Sequence, residues 1–387
     1  MKIFVTGIGV ITAIGRNVAE NLNSLQSLRT GLSKSSEYDL IIGEVPQANE
    51  QLTEGFHQHY DDYSRTSLLA LPAAREAWGG NKHSNSIRTG LISSTSVGGM
   101  DRTESYYFED RKNNSRGNYH LMVHDNGRTT ELLAKELGIS GYISTISTAC
   151  SSGANAIMQA ARLMESNRLD RVIAGGSEPL AIFDVKGFSS LNIYDAEICK
   201  PFDENRNGLN LGEGAAFLVL ENEKSLTNTG NQPMCILSGW NNASDAFHQT
   251  ASSPDGIGAY LAMIHALEKA GLNAGEIDYV NAHGTGTPNN DLSESMALKR
   301  AFAKMPPFSS TKGFTGHTLA AAGAIEAVYC TLSLLRQSTL PNINFVTPMR
   351  ETGLQPEKEF RATSIQHVLS NSFGFGGNCT CLIFSKA

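Results

Sequence analysis

The chain has 387 residues, of which 40% are hydrophobic and 18% charged, and its formal net charge is −7. That length is enough for two domains of ordinary size or one large two-part domain. The acidic balance argues against general affinity for nucleic acids, which requires an excess of basic residues. It remains compatible with a small basic patch for an acidic partner.

The cysteines and the N-terminus indicate the cellular setting. The six cysteines form no C-x-x-C pair, and their spacing matches neither a disulfide framework nor a zinc site. Gly7 and Gly9 interrupt the apolar N-terminus, which therefore predicts a first strand and turn rather than a signal peptide. Because no run reaches the roughly 18 apolar residues of a membrane span, we expect a reduced, cytoplasmic protein without such a span.

Short β-branched or apolar runs alternate with helical patterns, which is typical of an α/β chain with mostly parallel strands. The predicted strands are 2–6, 89–93, 142–147, 171–174, 215–220, 277–281, 367–370 and 379–384. The predicted helices are 64–78, 129–137, 153–166, 258–269, 292–303 and 319–336. The polar, loop-like residues 222–233 mark a boundary between two α/β halves, 1–231 and 232–387. Residues 100–128 are the least regular, which suggests a lid, a pocket wall or an interface.

Cys150 lies where a predicted strand meets a predicted helix. Residues 142–148 favour a strand, and small or apolar residues recur at helical spacing from Gly153 onward. A thiol at a helix N-terminus is close to free backbone N–H groups and the helix dipole, which stabilise a thiolate and can hold an oxyanion. The same pattern also fits a small cysteine buried in the core.

Two histidines occur in glycine-rich segments. His283 ends a predicted strand and enters a Gly-Thr loop, the usual place for active-site residues of α/β folds. Lys312 and His317 precede a helix rich in Ala and Gly that carries Glu326. If Glu326 is buried it needs a partner, for which Lys312 or His317 is the candidate. Each residue alone fits an ordinary structural role, but together with Cys150 they indicate one active site.

The C-terminal segment HVLSNSFGFGGNCTCLIF predicts a strand, a glycine turn and a second strand. Phe373 and Phe375 alternate with glycines in the turn. Because glycine tolerates positive φ, the turn suits a movable aromatic gate over a reactive thiol. The alternative is a plain hairpin whose phenylalanines fill the core.

Several of these segments resemble the β-ketoacyl-acyl-carrier-protein synthases of the elongating, Cys-His-His type. The matching segments, in order, are TACSSGANAI, NAHGTGTPNND, STKGFTGHTLAAAGAIEA and NSFGFGGN. The opening VTGIGVITAIG, PFDENRNGLNLGEGAAFLVLE and SDAFHQTASSPDG resemble further blocks, so the likeness spans nearly the whole chain. It implies a thiolase-like α/β fold, a five-layer αβαβα sandwich of two similar halves. It also implies a homodimer, with a heterodimer of related subunits as the alternative.

The resemblance implies a role for each candidate residue. Cys150 would be the acyl-accepting nucleophile, and His283 and His317 would assist decarboxylation and stabilise the enolate or thioester oxygen. Lys312 would organise the site, and Glu326 would pair within it. No metal or redox cofactor is implied.

Further roles follow from the same resemblance. Thr250, Thr285 and Thr287 correspond to hydroxyls that contact the phosphopantetheine arm. Phe375, beside Phe373, corresponds to the gate, and its N–H with that of the nucleophile would form the oxyanion hole.

The implied partner is an acyl carrier protein, which is acidic. Lys200 stands where the family places a basic residue for it, and Arg65 is a second candidate. The implied reaction is a decarboxylative Claisen condensation of a malonyl group with the thiol-bound acyl chain, giving a 3-oxoacyl thioester in fatty acid or specialised polyene or polyketide biosynthesis.

Two departures from the family pattern stand out. The family turn usually reads GFGGTN, whereas this chain has Gly376-Gly377-Asn378-Cys379. Residues 101–104 are Asp, Arg, Thr and Glu where the stretch is often apolar. We therefore expect a shorter, polar, polyunsaturated or aryl-primed acyl chain rather than a plain long saturated one.

Three alternatives stay open. A thiolase would use a second cysteine, for which Cys379 and Cys381 are available, but the surrounding thiolase motif is missing. A chain-length-factor-like partner would lack the nucleophile. Synthases of the starter or plant-polyketide type usually have Asn where His317 stands.

Overall fold

A computed structural model describes residues 1–53, 63–80, 86–113 and 121–387. The strands of these residues are β1 Phe4–Thr12, β2 Ser33–Lys34, β3 Ile41–Ile42, β4 Thr89–Ser94, β5 Tyr142–Ile146, β6 Arg171–Glu178, β7 Gly214–Glu221, β8 Cys235–Ser244, β9 Tyr279–Asn281, β10 Phe308–Ser309, β11 Ser338–Thr339, β12 Arg361–Ala362, β13 His367–Gly374 and β14 Asn378–Ser385.

The helices alternate with these strands. They are α1 Val18–Gln26, α2 Asn49–Leu52, α3 Arg65–Trp78, α4 Met100–Asn113, α5 Leu121–His124, α6 Asn126–Leu137, α7 Ser152–Glu165, α8 Ile182–Ser190, α9 Glu223–Thr229, α10 Ile257–Ala270, α11 Pro288–Ala301, α12 Lys312–Thr315 and α13 Ala322–Arg336. Two 3₁₀ helices, Ala274–Glu276 and Leu319–Ala321, complete the set in the described ranges.

The main sheet consists of two sets of five strands with the same internal order. The first set runs β5-β4-β6-β7-β1, and the second runs β10-β9-β13-β14-β8. In each set the first three strands are parallel and the next two pairings are antiparallel. The sets meet where β1 pairs with β8 at only Phe4–Ile236 and Val5–Cys235. The repeated order indicates two structurally similar halves.

Both faces of each set are buried, as the alternation of side chains along a strand shows. On β7, Leu218 belongs to the central apolar core, whereas Phe217 belongs to an outer core with α3 and α6. On β14, Leu382 belongs to the same central core, whereas Ile383 belongs to the opposite outer core with α10 and α11. The helices α7 and α13 fill the central core between the two sets. The predicted five-layer αβαβα sandwich is therefore confirmed.

Most predicted elements are present, with boundaries shifted by a few residues. The prediction of a loop at 222–233 is wrong, because Asn222 caps the short helix α9 there. Residues 100–128 are also more regular than predicted, since α4, α5 and the start of α6 lie within them; residues 114–120 are outside the described part of the chain. α4 has no apolar face, which is why its periodicity gave no signal.

Among the described residues, one helical stretch, Leu319–Arg336, has the length and mean hydropathy of a membrane span. Since 89% of it is buried inside the protein, it is the core helix α13 with its preceding 3₁₀ turn.

Candidate active site

Eight of the predicted site residues line one cavity of about 480 Å³. These residues are Cys150, Thr250, Thr285, Thr287, His283, His317, Phe373 and Phe375. They come from both halves of the chain, because Cys150 precedes α7 and the others follow β8. The structure thus brings Cys150 together with residues that lie 100 or more positions after it in the sequence.

Cys150 stands on a sharp turn between β5 and α7. Ala149, the preceding residue, has a φ of +53°, and Cys150 lies two residues before the first residue of α7. Burial of the side chain raises the pKa of the Cys150 thiol to about 12, although the charge of Lys312 and the backbone N–H groups of Phe375 and Cys150 itself act in the opposite direction. The resting thiol is therefore protonated, so its attack on a thioester needs a base close by.

His283 and His317 are both buried, and their rings meet edge to face with centroids 5.3 Å apart. Burial, reinforced by the positive charge of Lys312, holds the pKa of each imidazole well below 6.5. Both rings are therefore neutral near pH 7, and each can act as one donor and one acceptor. Nδ1 of His317 has no hydrogen-bond partner in the described part of the chain.

The backbone holds each histidine in place. The N–H of His283 and that of Gly284 donate to the two carboxylate oxygens of the buried Glu294, at 2.9 and 2.8 Å. The N–H of His317 donates to the carbonyl of Asn210 at 2.7 Å. Sequence reasoning missed Glu294, although an acidic residue on the helix directly after the His283 loop was a usable signal.

Lys312 and Glu326 form a buried ion pair beside His283, with side chains 2% and 3% exposed. Lys312 Nζ also donates to the backbone carbonyl of His283 and lies 3.4 Å from its Nδ1. The other carboxylate oxygen of Glu326 accepts from Ser372 Oγ at 3.3 Å. Of the two candidates for the partner of Glu326, the structure thus selects Lys312.

The two phenylalanines of the C-terminal turn have different surroundings. Phe373 is buried, and its ring centroid lies 5.5 Å from that of His283. Phe375 is half-buried and stacks on Phe188, with centroids 5.6 Å apart and planes at 15°. Phe188, on α8, also lines the cavity and was not predicted as a site residue. No periodic or motif signal in its segment pointed to that role.

The three threonines line the cavity from depth to mouth. Thr285 is buried, and its hydroxyl lies 2.8 Å from that of the half-buried Thr287. Thr250 is exposed. A polar ligand entering the cavity therefore meets hydroxyl groups along its path.

The two candidate docking residues differ. Arg65 is only 15% exposed, and its guanidinium binds Glu213 at 2.6 Å as well as the carbonyls of Val45 and Gln47. The structure therefore does not support Arg65 as a docking residue: its charge is neutralised inside the fold. Lys200 is half-buried and pairs with the exposed Glu197, three residues earlier.

The polar residues 101–104 do not line the described cavity around Cys150. The carboxylate of Asp101 accepts from the backbone N–H of Arg65 at 2.8 Å, and Thr103 pairs with His124. Glu104 accepts from the N–H groups of Ile182 and Phe183, at 2.7 and 3.1 Å, at the start of α8. Of these bonds, only those of Glu104 lead toward the site, through the helix that carries Phe188.

Family models match nearly the whole chain. The model described as beta-ketoacyl synthase, N-terminal domain, matches residues 1–225, and the model described as beta-ketoacyl synthase, C-terminal domain, matches residues 234–346. A 3-oxoacyl-[acyl-carrier-protein] synthase 2 from Staphylococcus aureus is 32% identical over all of this chain and 98% of its own length.

Solved structures are similar over the same extent. The ishigamide ketosynthase/chain length factor has a TM-score of 0.93 at 26% identity, covering 100% of this chain and 99% of that one. A chain of the ketosynthase ApeO in complex with its chain length factor ApeC, from Xenorhabdus doucetiae, has a TM-score of 0.83 at 32% identity, covering 100% and 98%.

Proposed function

Since the chain belongs to the β-ketoacyl synthase family, we propose that it condenses an acyl group held on Cys150 with a malonyl group presented by an acyl carrier protein. The observation that carries the proposal is the convergence of Cys150, His283 and His317 on one cavity. A thiolase or a non-condensing partner subunit has no need of this complete set.

In the first step, Cys150 Sγ attacks the thioester carbon of an acyl carrier. A carbon–sulfur bond to Cys150 forms, the bond to the carrier's pantetheine sulfur breaks, and the thiol proton passes through a neutral histidine to the leaving sulfur. The N–H groups of Cys150 and Phe375, which both oppose the rise of the thiol pKa, donate to the carbonyl oxygen as it becomes negative. The threonines of the cavity hold the pantetheine arm.

In the second step, a malonyl thioester loses CO2 and leaves an enolate. Neutral His283 and His317 donate hydrogen bonds to the enolate oxygen, which stabilises the developing charge without supplying a strong acid. The enolate carbon then attacks the acyl carbonyl, the bond to Cys150 Sγ breaks, and the released thiolate takes up a proton from solvent. The product is a 3-oxoacyl thioester on the carrier protein.

Acylation of Cys150 tests the proposal directly. Incubation with an acyl-carrier thioester is expected to add the acyl mass to the intact protein, and Cys150→Ala is expected to abolish this. Cys150→Gln, whose amide mimics an acyl-enzyme, is expected to retain malonyl decarboxylation. An unmodified Cys150 protein without CO2 release from malonyl carrier would refute the function. CO2-independent condensation would instead indicate a thiolase.

The acyl substrate is proposed to be shorter, polar, polyunsaturated or aryl-primed. Support comes from the polar residues 101–104, of which Glu104 accepts from the backbone of α8, the helix that places Phe188 against the gate. A panel of acyl and aryl carrier thioesters tests this, and fast turnover on long saturated chains alone would contradict it.

We further propose that the protein is cytoplasmic and works as a dimer of two α/β halves per subunit, 1–231 and 232–387. β5 is the outermost strand of its set and carries the exposed Ile143, and Met122 and Phe183 are also exposed. An open strand edge and exposed apolar side chains are both usual features of a surface used for subunit pairing. The mass of the purified chain in solution distinguishes a homodimer from a chain that awaits a related subunit.

A further inference from the structure

Asn378 lies at the centre of a cluster of polar side chains at the start of β14. Its Oδ1 is 2.7 Å from Ser151 Oγ, 2.8 Å from Asn155 Nδ2 and 2.8 Å from Asn242 Nδ2. Thr380 Oγ1 donates to Asn155 Oδ1 at 2.8 Å. We call these five residues the Asn378 cluster. The side-chain oxygen of Asn378 is thus within hydrogen-bond distance of the segment that carries Cys150, of α7 and of β8.

The Asn378 cluster ties the Phe375 loop, residues 375–377, to the segment that carries the nucleophile. Asn378 directly follows the loop, and Ser151 directly follows Cys150. At the other end of the loop, a Cβ on Gly374 would stand 3.3 Å from the backbone nitrogen of Cys150. The loop therefore contacts the nucleophile segment at both of its ends.

Besides the stacking of Phe375 on Phe188, backbone hydrogen bonds anchor the Phe375 loop. The N–H of Gly376 donates to the carbonyl of Gln249 at 2.7 Å, and the N–H of Asp245 donates to the carbonyl of Gly377 at 2.7 Å. These bonds connect the loop to the segment before Thr250 and do not depend on residue type. Asn378 supplies a side-chain anchor toward Cys150 that does depend on residue type.

We infer that Asn378 is a positioning residue whose Oδ1 fixes the Phe375 N–H beside Cys150 Sγ for acyl transfer. The inference rests on the proposed function, in which that N–H stabilises the thioester oxygen. Because Asn378 does not line the cavity itself, it acts through the loop. The inference also gives a role to Asn378, which with Cys379 is where this turn differs from GFGGTN.

The geometry separates the two atoms of the amide. Oδ1 accepts the three short bonds, whereas Nδ2 makes one contact of 3.5 Å, with Asn242 Oδ1. Asn378→Leu has a similar volume but no acceptor, so it leaves the donors unpaired. Asn378→Asp keeps an acceptor at the same place. The two variants therefore distinguish the acceptor from mere bulk.

The rate of single-turnover acylation of Cys150 by an acyl-carrier thioester, followed by intact mass, tests the inference. Asn378→Leu is expected to lower the maximal rate by about 10- to 100-fold, because a misplaced oxyanion donor costs that much, while the carrier concentration for half-maximal rate stays unchanged. Asn378→Asp is expected to stay within about threefold of the unsubstituted protein, since its acceptor persists. Malonyl decarboxylation, measured in the Cys150→Gln background, is expected to be unaffected.

Asn21→Leu is the matched control, because Asn21 is a buried asparagine with comparable hydrogen bonds to Thr12 and Tyr329 and lies outside the cavity lining. It is expected to lower stability without slowing acylation. Equal rates for Asn378→Leu and the unsubstituted protein, or equal losses for Asn378→Leu and Asn378→Asp, would overturn the inference.

Ser151→Ala is the second variant, for use if Asn378→Leu does not fold. It removes the hydroxyl that lies 2.7 Å from Oδ1 and whose single hydrogen is shared with the carbonyl of Thr148. It is expected to slow acylation about threefold, the effect of losing one neutral hydrogen bond; an unchanged rate would overturn the inference. If the unsubstituted protein is not acylated at all, the proposed function fails first, and that result is distinct from a difference among variants.

Discussion

The rings of His283 and His317 meet edge to face, with centroids 5.3 Å apart and planes at 84°. Two imidazoles at this distance in a buried cavity cannot both carry a charge without strong repulsion, and Lys312 adds a further positive charge beside them. The arrangement therefore favours two neutral rings. It suits a reaction in which negative charge develops on a substrate oxygen.

The free energy of unfolding at mildly acid pH should show that His283 and His317 are neutral in the folded protein. Each histidine has a folded pKa well below 6.5, so below pH 6.5 the unfolded chain binds protons that the folded chain does not. The free energy of unfolding then falls with falling pH by up to about 1.4 kcal/mol per pH unit for each histidine. We expect His317→Asn to lose less stability between about pH 6.5 and 5 than the unsubstituted protein, as measured by urea denaturation.

Buried acids oppose this trend, because burial raises the pKa of Glu178 and Glu294 to about 7. A carboxyl group with a raised pKa stabilises the folded state as the pH falls from about 7 toward 4. Both acids are present in the variant and the unsubstituted protein, so the difference between the two pH curves isolates the histidine. Parallel curves would contradict a depressed pKa for His317.

The buried pair Lys312–Glu326 should be costly to break from one side. Lys312→Met leaves the Glu326 carboxylate buried without its cation, and we expect a loss of about 3–5 kcal/mol in the free energy of unfolding. The double variant Lys312→Met/Glu326→Leu removes both charges and is expected to lose less than the sum of the two single variants. Strictly additive losses in urea denaturation would show that the pair is not coupled.

The contact between α7 and α13 should not tolerate a side chain at Gly153. A Cβ there would lie 2.7 Å from the backbone nitrogen of Ala324. We expect Gly153→Ala to lower the free energy of unfolding by about 1–3 kcal/mol, since the helices must separate. Gly187→Ala is the control, because no atom lies within 4 Å of a Cβ at Gly187 on α8. That control should be neutral or slightly stabilising, and equal effects would refute the close contact.

Lys200 should contribute to binding of the acidic carrier protein. Lys200→Glu reverses one charge on a half-buried side chain, so we expect weaker binding that is most evident at low salt, because added ions screen the interaction. Lys135→Glu, an exposed lysine on α6, carries the same change of net charge as a control. Titration with carrier protein at two salt concentrations measures the effect. Equal affinities of the two variants for the carrier protein would show that Lys200 is not part of the docking surface.

The local pattern of the sequence by itself determined most helices and strands and showed which residues could be reactive. Period-2 and period-3.6 patterns located most strands and helices, because burial of one face or both faces selects apolar residues at those spacings. The patterns did not reveal α4 or β8, because apolar residues do not recur regularly in either. α4 has no buried face, and β8 contains Gly, Asn and Ser. The reactive types Cys150, His283 and His317 were visible because each stands in a glycine-rich segment at the end of an element.

Only the tertiary structure decided which side chains meet. It paired Glu326 with Lys312, placed Arg65 in an internal ion pair with Glu213, and brought Phe188 against Phe375. It also showed that the side-chain oxygen of Asn378, which appeared in the sequence only as an unusual residue, lies within 2.8 Å of three polar side-chain atoms beside the nucleophile. Such contacts join residues up to 227 positions apart. They depend on how the two halves pack together. A local sequence pattern reflects only the burial of its own segment and cannot predict that packing.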